Sequence, residues 1–221
     1  MQINAFLFDL DGVLVDTARF HYLGWRRLAQ SLGFDITPQQ NEELKGVSRM
    51  DSLDRILDWG GLTRSEEEKH LLAAQKNDWY VDMISQMTPA DVLPGVIELL
   101  QELQMRQIRI GLGSASKNAP FILQCTGLDN FIEAVVDGSM VTRGKPDPEV
   151  FLVGARMLNT MPAACVVVED AEMGIQAARR GGMFPVGIGQ PEDLPSAACH
   201  FPSVASLDLD LVLLLAQTDE N

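Results

Sequence analysis

The chain has 221 residues, 46% hydrophobic and 22% charged, enough apolar material for one large domain or two small ones. Its net charge of −14 argues against a nucleic-acid surface and against anchoring on anionic membranes, although lysines, arginines or a metal can reverse the sign inside a cleft. Cys125, Cys165 and Cys199 are widely spaced with no Cys-x-x-Cys pair, and neither a signal peptide nor a run of transmembrane length is evident, so a cytoplasmic location with reduced thiols is expected.

The first expected element is a short strand, Ala5–Phe8, which runs into Asp9-Leu10-Asp11-Gly12. Residues two apart in an extended chain share a face, so Asp9 and Asp11 can point into one site. One carboxylate would serve as nucleophile or metal ligand and the other would handle protons. The same pattern also suits a plain Asp-Gly turn after a buried strand, and residues farther along the chain decide between the two. From Thr17 to about Thr88 helical patterns dominate, with Phe20, Leu23, Leu28 and Leu32 on the first and later ones around Leu53–Leu57 and Leu71–Met83. This block leaves the sheet at the carboxyl end of the first strand, where α/β folds bind ligands. It is expected to form a helical cap, residues 16–91, over a core of residues 1–15 and 92–221, with hinges near Val15–Asp16 and Thr88–Pro94. The plainer alternative is that these helices extend the main core.

Strands and helices then alternate. Helices are expected over Gly95–Arg106, Pro148–Leu158, Ala171–Arg180 and, at the end, Leu207–Ala216. Strands are expected at Ile108–Leu112, Cys165–Val168 and Pro185–Ile188, with a further short one at Ala134–Val136. The fold class implied is α/β, a doubly wound and mostly parallel sheet with an inserted all-helical domain.

Three later segments carry polar chemistry. Gly113-Ser114-Ala115-Ser116-Lys117-Asn118 follows a strand and opens a helix, where small residues and free amides favour an anion such as phosphate. Ser116 also suits a simple helix cap. Lys145 precedes Pro146 in a stiff segment, where its ammonium can neutralise phosphate oxygens, although a lone lysine is usually solvated. Glu169-Asp170 ends the strand from Cys165 at the same sheet edge as Asp9 and Asp11. Carboxylates crowded there would repel one another, and Mg²⁺ would relieve that repulsion.

The ordered set Asp9-x-Asp11, Ser114, Lys145 and Glu169-Asp170 resembles the haloacid dehalogenase superfamily of phosphoryl-transfer enzymes over essentially the whole chain. The resemblance implies a Rossmann-like core, with Asp9 as nucleophile and Asp11 as general acid/base. It implies Mg²⁺ held by Asp9, the Asp11 backbone carbonyl and Asp170, with Glu169 supporting the site. The inserted block adds Thr17, His21, Trp25, Lys45-Gly46-Val47-Ser48-Arg49, Ser52 and Lys76-Asn77, which is similar to the β-phosphoglucomutase family. Members interconvert β-glucose 1-phosphate and glucose 6-phosphate through a bisphosphate and an aspartyl-phosphate. A bisphosphate that reorients needs a second, non-reacting phosphate pocket, and Arg49 with Ser116, Lys117 and Asn118 would supply it. Gly46, Val47, Ser52, Ala115, His21 and Lys76 would contact the substrate or gate closure, although His21 also suits helix packing beside Trp25. Ala171 stands where members often carry serine, Gly113 replaces a more usual alanine, and Arg143-Gly144 departs from the family's small residues before the lysine. These departures bear on substrate preference more than on reaction class. The expected partner is a small phosphosugar, and the expected state is a monomer. A sugar-phosphate phosphatase is the first alternative, and a non-catalytic phosphosugar sensor the second.

Overall fold

The computed structural model describes residues 2–218. Its centre is a six-stranded sheet in the order β3-β2-β1-β4-β5-β6, with every neighbouring pair parallel. The strands are β1 (Ala5–Phe8), β2 (Arg109–Gly113), β3 (Ala134–Val136), β4 (Cys165–Glu169), β5 (Phe184–Ile188) and β6 (Cys199–Phe201). Register explains the site: Phe8 lies opposite Leu112 on one side and Val168 on the other. The chain therefore emerges from β1, β2 and β4 at one level, and Asp9, Ser114 and Glu169 leave the sheet together.

β1 and β4 are wholly buried, so both faces must be apolar. Alternation splits them between two cores. Phe6, Phe8, Val166 and Val168 face α5 (Val96–Met105), α6 (Ala119–Thr126) and α9 (Leu209–Thr218). Leu7 and Val167 face α7 (Glu149–Met157) and α8 (Glu172–Arg180). The expected C-terminal helix packs on the first of these cores through Leu209, Val212 and Ala216. Strand β6 goes beyond the sequence expectation. No helix of the described residues is long and apolar enough to cross a membrane.

The segment after β1 is helical, as expected: α1 (Ala18–Ser31), α2 (Pro38–Glu42), α3 (Arg49–Trp59) and α4 (Glu66–Ile84). It has an apolar cluster of its own, built around Trp25, Leu28, Leu53, Ile56 and Leu57. The expected stripe of α1 holds at Leu28, which is buried, and at Phe20 and Leu32, which pack against the cores; Leu23 is half exposed, and Gly24, Trp25 and Ala29 extend the buried face. A β-carbon at Gly24 would lie 2.9 Å from Lys76 Cε on α4, so glycine leaves room for that side chain. Leu71 of α4 is likewise exposed, and the buried stripe of that helix is Ala73, Lys76, Tyr80 and Ile84. Tyr80 and Ile84 pack into the main core, which anchors the last turns of α4 there. The two chain crossings pair with each other: Val15 bridges Val92 antiparallel, and the Leu93 amide donates to the Leu14 carbonyl at 3.0 Å.

Candidate active site

Asp9 is held from two directions. Its Oδ2 accepts the Asp11 amide at 3.1 Å, and its Oδ1 accepts from Lys145 Nζ at 2.5 Å. Gly12 permits the turn that makes this possible, with φ of +81°. A β-carbon at Gly12 would sit 2.2 Å from Asp170 Oδ2, so only glycine lets Asp170 approach the turn.

Lys145 is buried and shared, because its ammonium also reaches Glu169 Oε1 at 2.5 Å. Burial alone would depress it, but Asp9 and Glu169 more than offset that and hold it above the ordinary lysine range. The other Glu169 oxygen accepts the Ala171 amide at 2.8 Å. Burial, and then Asp9 and Asp170, push Glu169 upward against the pull of Lys145. Asp170 rises to about 6 through burial, with Lys45 opposing and Asp9 adding to the rise. Asp9, Glu169 and Asp170 each offer an oxygen within 4.8 Å of one another, a spacing that suits a metal ion. Hard carboxylate donors, mutually repelling and partly buried, fit a hard divalent cation. The Asp11 carboxylate lies outside this trio. Burial, and then the charges of Asp9 and Asp170, hold it well above the usual carboxylate range, which is what a proton donor requires.

Opposite this corner the helical segment presents cations. His21 Nε2 lies 4.0 Å from Asp11 Oδ2, and His21 Nδ1 lies 3.1 Å from Lys76 Nζ. Burial, and then Lys76 and Arg49, hold the imidazole well below its usual range, so it is neutral and accepts from Lys76. The Lys76 ammonium sits 4.4 Å from the Trp25 ring centroid and 4.7 Å from that of Tyr80. Burial and Arg49 pull Lys76 down to about 7. Lys45 crosses to the core directly, with Nζ 3.3 Å from Asp170 Oδ2 and 2.8 Å from Glu42 Oε2. Asn118 Nδ2 donates to Asn77 Oδ1 at 2.9 Å, a second direct bond across the cleft.

An open cleft lies between the two parts. Of the expected site residues, Asp9, Asp11, His21, Trp25, Gly46, Val47, Arg49, Ser52, Lys76, Ala115, Ser116, Lys117, Asn118 and Asp170 line it together. Five do not. Ser48 caps α3, with its Oγ donating to Asp51 Oδ2 at 2.6 Å and accepting the Asp51 amide at 3.3 Å, so its hydroxyl serves the helix start. Ser114 is buried beneath the loop and accepts the Ser116 amide at 3.1 Å. Thr17 is buried at the start of α1. Lys145 and Glu169 stand behind Asp9 as a charged support. Ser116 does not cap α6; its Oγ accepts the Asn118 amide at 3.2 Å, inside the loop. The cleft also includes Asn41, Leu44, Lys45, Asn77 and Tyr80. Lys45 and Asn77 belong to sequence motifs that give them no role of their own, and Asn41 and Tyr80 fall outside those motifs. The stripe Ala73, Lys76, Tyr80, at helical spacing with two polar ends, is the signal that points to Tyr80.

Comparison with known proteins agrees with this geometry. Residues 3–182 match the sequence model of haloacid dehalogenase-like hydrolases. The β-phosphoglucomutase of Bacillus subtilis is 42% identical over 212 residues, which cover 95% of this chain and 94% of that protein. A fructose-1-phosphate phosphatase of Escherichia coli is 32% identical, over 82% of this chain and 94% of its own. The crystal structure of β-phosphoglucomutase from Clostridium difficile superposes with a TM-score of 0.95 at 43% identity, covering 98% of each chain. The chain thus belongs to the haloacid dehalogenase-like hydrolase family, among its β-phosphoglucomutase-like members.

Proposed function

We propose that this protein is a β-phosphoglucomutase that works through a phosphorylated Asp9. One observation carries the reading: Asp9, backed by Lys145, and a separate anion-binding set of Arg49, Ser116, Lys117 and Asn118 face one cleft. A bisphosphate that must turn end for end needs both.

In the first half-reaction Asp9 gives its phosphoryl group to the C6 hydroxyl of β-glucose 1-phosphate, and Asp11 takes the hydroxyl proton. The bisphosphate then turns within the cleft. Asp9 attacks the C1 phosphate, the bond from phosphorus to the sugar oxygen breaks, and Asp11 returns its proton to that oxygen. Glucose 6-phosphate leaves and Asp9 is phosphorylated again. Lys145 balances charge at Asp9 throughout. Mg²⁺, held by Asp9, Asp170 and the Asp11 carbonyl with Glu169 in support, would neutralise the transferring group. His21 and Lys76 would bind the sugar. The bonds from Lys45 to Asp170 and from Asn118 to Asn77 favour the closed cleft, which keeps water from the aspartyl-phosphate. The three free thiols fit a reducing, cytoplasmic setting, and the enzyme is read as a monomer because the helical segment itself shields the site.

The test is a product assay with Mg²⁺, β-glucose 1-phosphate and a trace of β-glucose 1,6-bisphosphate. Glucose 6-phosphate in large excess over free phosphate is the expected result. Free phosphate alone would establish instead the phosphatase alternative, which the similarity to a fructose-1-phosphate phosphatase favours. No turnover of any phosphate ester would leave the sensor alternative.

A further inference from the structure

His21, Gly24 and Trp25 stand at i, i+3 and i+4 on α1, so they share one face, and that face lies against α4. The Lys76 side chain of α4 crosses it. Measured from where a β-carbon at Gly24 would stand, Lys76 Cγ and Cδ lie at 3.6 Å and Cε at 2.9 Å. The stem therefore runs along the bare backbone of α1. The ammonium ends 4.4 Å from the Trp25 ring centroid, 4.7 Å from that of Tyr80 and 3.1 Å from His21 Nδ1.

Nothing in the backbone asks for glycine here. Gly24 is in the middle of α1, and its φ is not positive. Glycine is a poor helix former in such a place, and alanine would strengthen α1 if there were room. There is none. At 2.9 Å from Cε an alanine methyl would displace the lysine stem next to its charged end. Moving Cε moves Nζ, and the hydrogen bond to His21 and both ring contacts depend on where Nζ sits.

We propose that Gly24 is a positioning residue: it sets the depth at which the Lys76 ammonium is held, and through it the grip of the cleft on the sugar. Gly24 itself is not among the residues that line the cleft, so it acts through the lysine. The effect on sugar binding rests on the reading in which Lys76 binds the sugar; the effect on Lys76 does not.

The experiment is Gly24→Ala, made in the wild-type chain and again together with Lys76→Ala, where the clashing stem is gone. The readouts are the nitrogen NMR shift of His21 Nδ1, thermal unfolding without ligand, and calorimetric titration of glucose 6-phosphate. In the wild-type chain Gly24→Ala should move the His21 signal towards its position in Lys76→Ala and weaken binding by about five- to tenfold, the scale of a hydrogen bond to a charged group. It should raise the melting temperature more in the Lys76→Ala chain than in wild type, because only there does the better helix former meet no obstacle. An unmoved His21 signal, an equal change of melting temperature in both chains, or an affinity within twofold of wild type overturns the proposal. Failure of the wild-type protein to bind glucose 6-phosphate would overturn the sugar reading instead, and the two readouts that need no ligand would still decide on Gly24.

Discussion

Replacing Lys76 with methionine should make the ligand-free protein more stable while damaging its function. Lys76 is 2% exposed, and its hydrogen-bond partner is His21, a neutral acceptor. Burying a charge without a counter-ion is costly. Its displacement from 10.5 to about 7 corresponds to roughly 5 kcal/mol at about 1.4 kcal/mol per pH unit. Methionine keeps most of the stem packing but loses the cation–π contacts with Trp25 and Tyr80, together about 2 kcal/mol. A net gain of about 2–3 kcal/mol remains, or about 4–12 °C in melting temperature for a chain of this size. The sign with pH is fixed. Below pH 7 lysine is charged in both states and the full penalty applies. As pH rises from 7 towards 10.5 the folded state holds the neutral amine while the unfolded state stays charged, so the penalty shrinks. The gap between variant and wild type should therefore be widest at pH 7 and below, and smaller at pH 9.5. Melting curves at both pH values measure it, and titration with glucose 6-phosphate should show at least a tenfold loss of affinity. A variant no more stable than wild type at pH 7, or a gap that does not change with pH, would refute the uncompensated-charge argument.

Asp9→Asn should abolish both mutase and phosphate-ester cleavage, and full activity in that variant would sink the nucleophile assignment. Chelation with EDTA should stop turnover reversibly, with magnesium restoring it; undiminished turnover would count against the acidic trio as a metal site. Lys45→Met removes a cation 3.3 Å from Asp170 and should tighten magnesium binding about two- to fivefold, read by calorimetric titration of the metal alone. Weaker binding would mean that Lys45 helps to organise the site. Gly12→Ala forces a β-carbon to within 2.2 Å of Asp170 Oδ2 at a φ of +81°, so a loss of about 2 kcal/mol in urea unfolding is expected, along with most of the activity.

Much of this is legible in the chain itself. Continuous apolar runs mark buried parallel strands, and β1 to β5 fall within a residue or so of where those runs stand. Strand β6 is not legible, because Cys199-His200-Phe201 lacks the continuous apolar run that marks β3, the other three-residue edge strand. Of the stripe expected on α1, Leu28 is buried and Phe20 and Leu32 pack against the cores, while Leu23 is half exposed, since helical period alone does not say how far round the helix the buried face extends. In the site, the carboxylates are readable because strand ends converge at one sheet edge, and Lys145, in the loop between β3 and α7, is readable only through its place in the ordered motif set. Ser48 caps α3 and Ser114 accepts the Ser116 amide, and a hydroxyl in a motif looks the same whether it serves a ligand, a backbone amide or both. Lys45 depends on how the helical segment lies across the core, a tertiary fact that no local spacing encodes, whereas Tyr80 shares the buried stripe of α4 with Ala73 and Lys76.

The pairing of Val15 with Val92 has a consequence for engineering and for descent. The chain departs from the sheet and returns to it within one antiparallel bridge, so everything between forms a loop whose two ends are already joined. Closing the remaining chain across that bridge would need only a tight hairpin turn. The segment can therefore be exchanged without moving β1 relative to α5, provided that the replacement restores the core side chains Tyr80 and Ile84 supply. A version carrying a different helical segment with apolar residues at those two places should retain the sheet and the Asp9, Lys145 and Asp170 corner. It would lack the Arg49, His21 and Lys76 face. Selectivity for one sugar over another would become a property that can be transplanted as a cassette, separately from the chemistry at phosphorus.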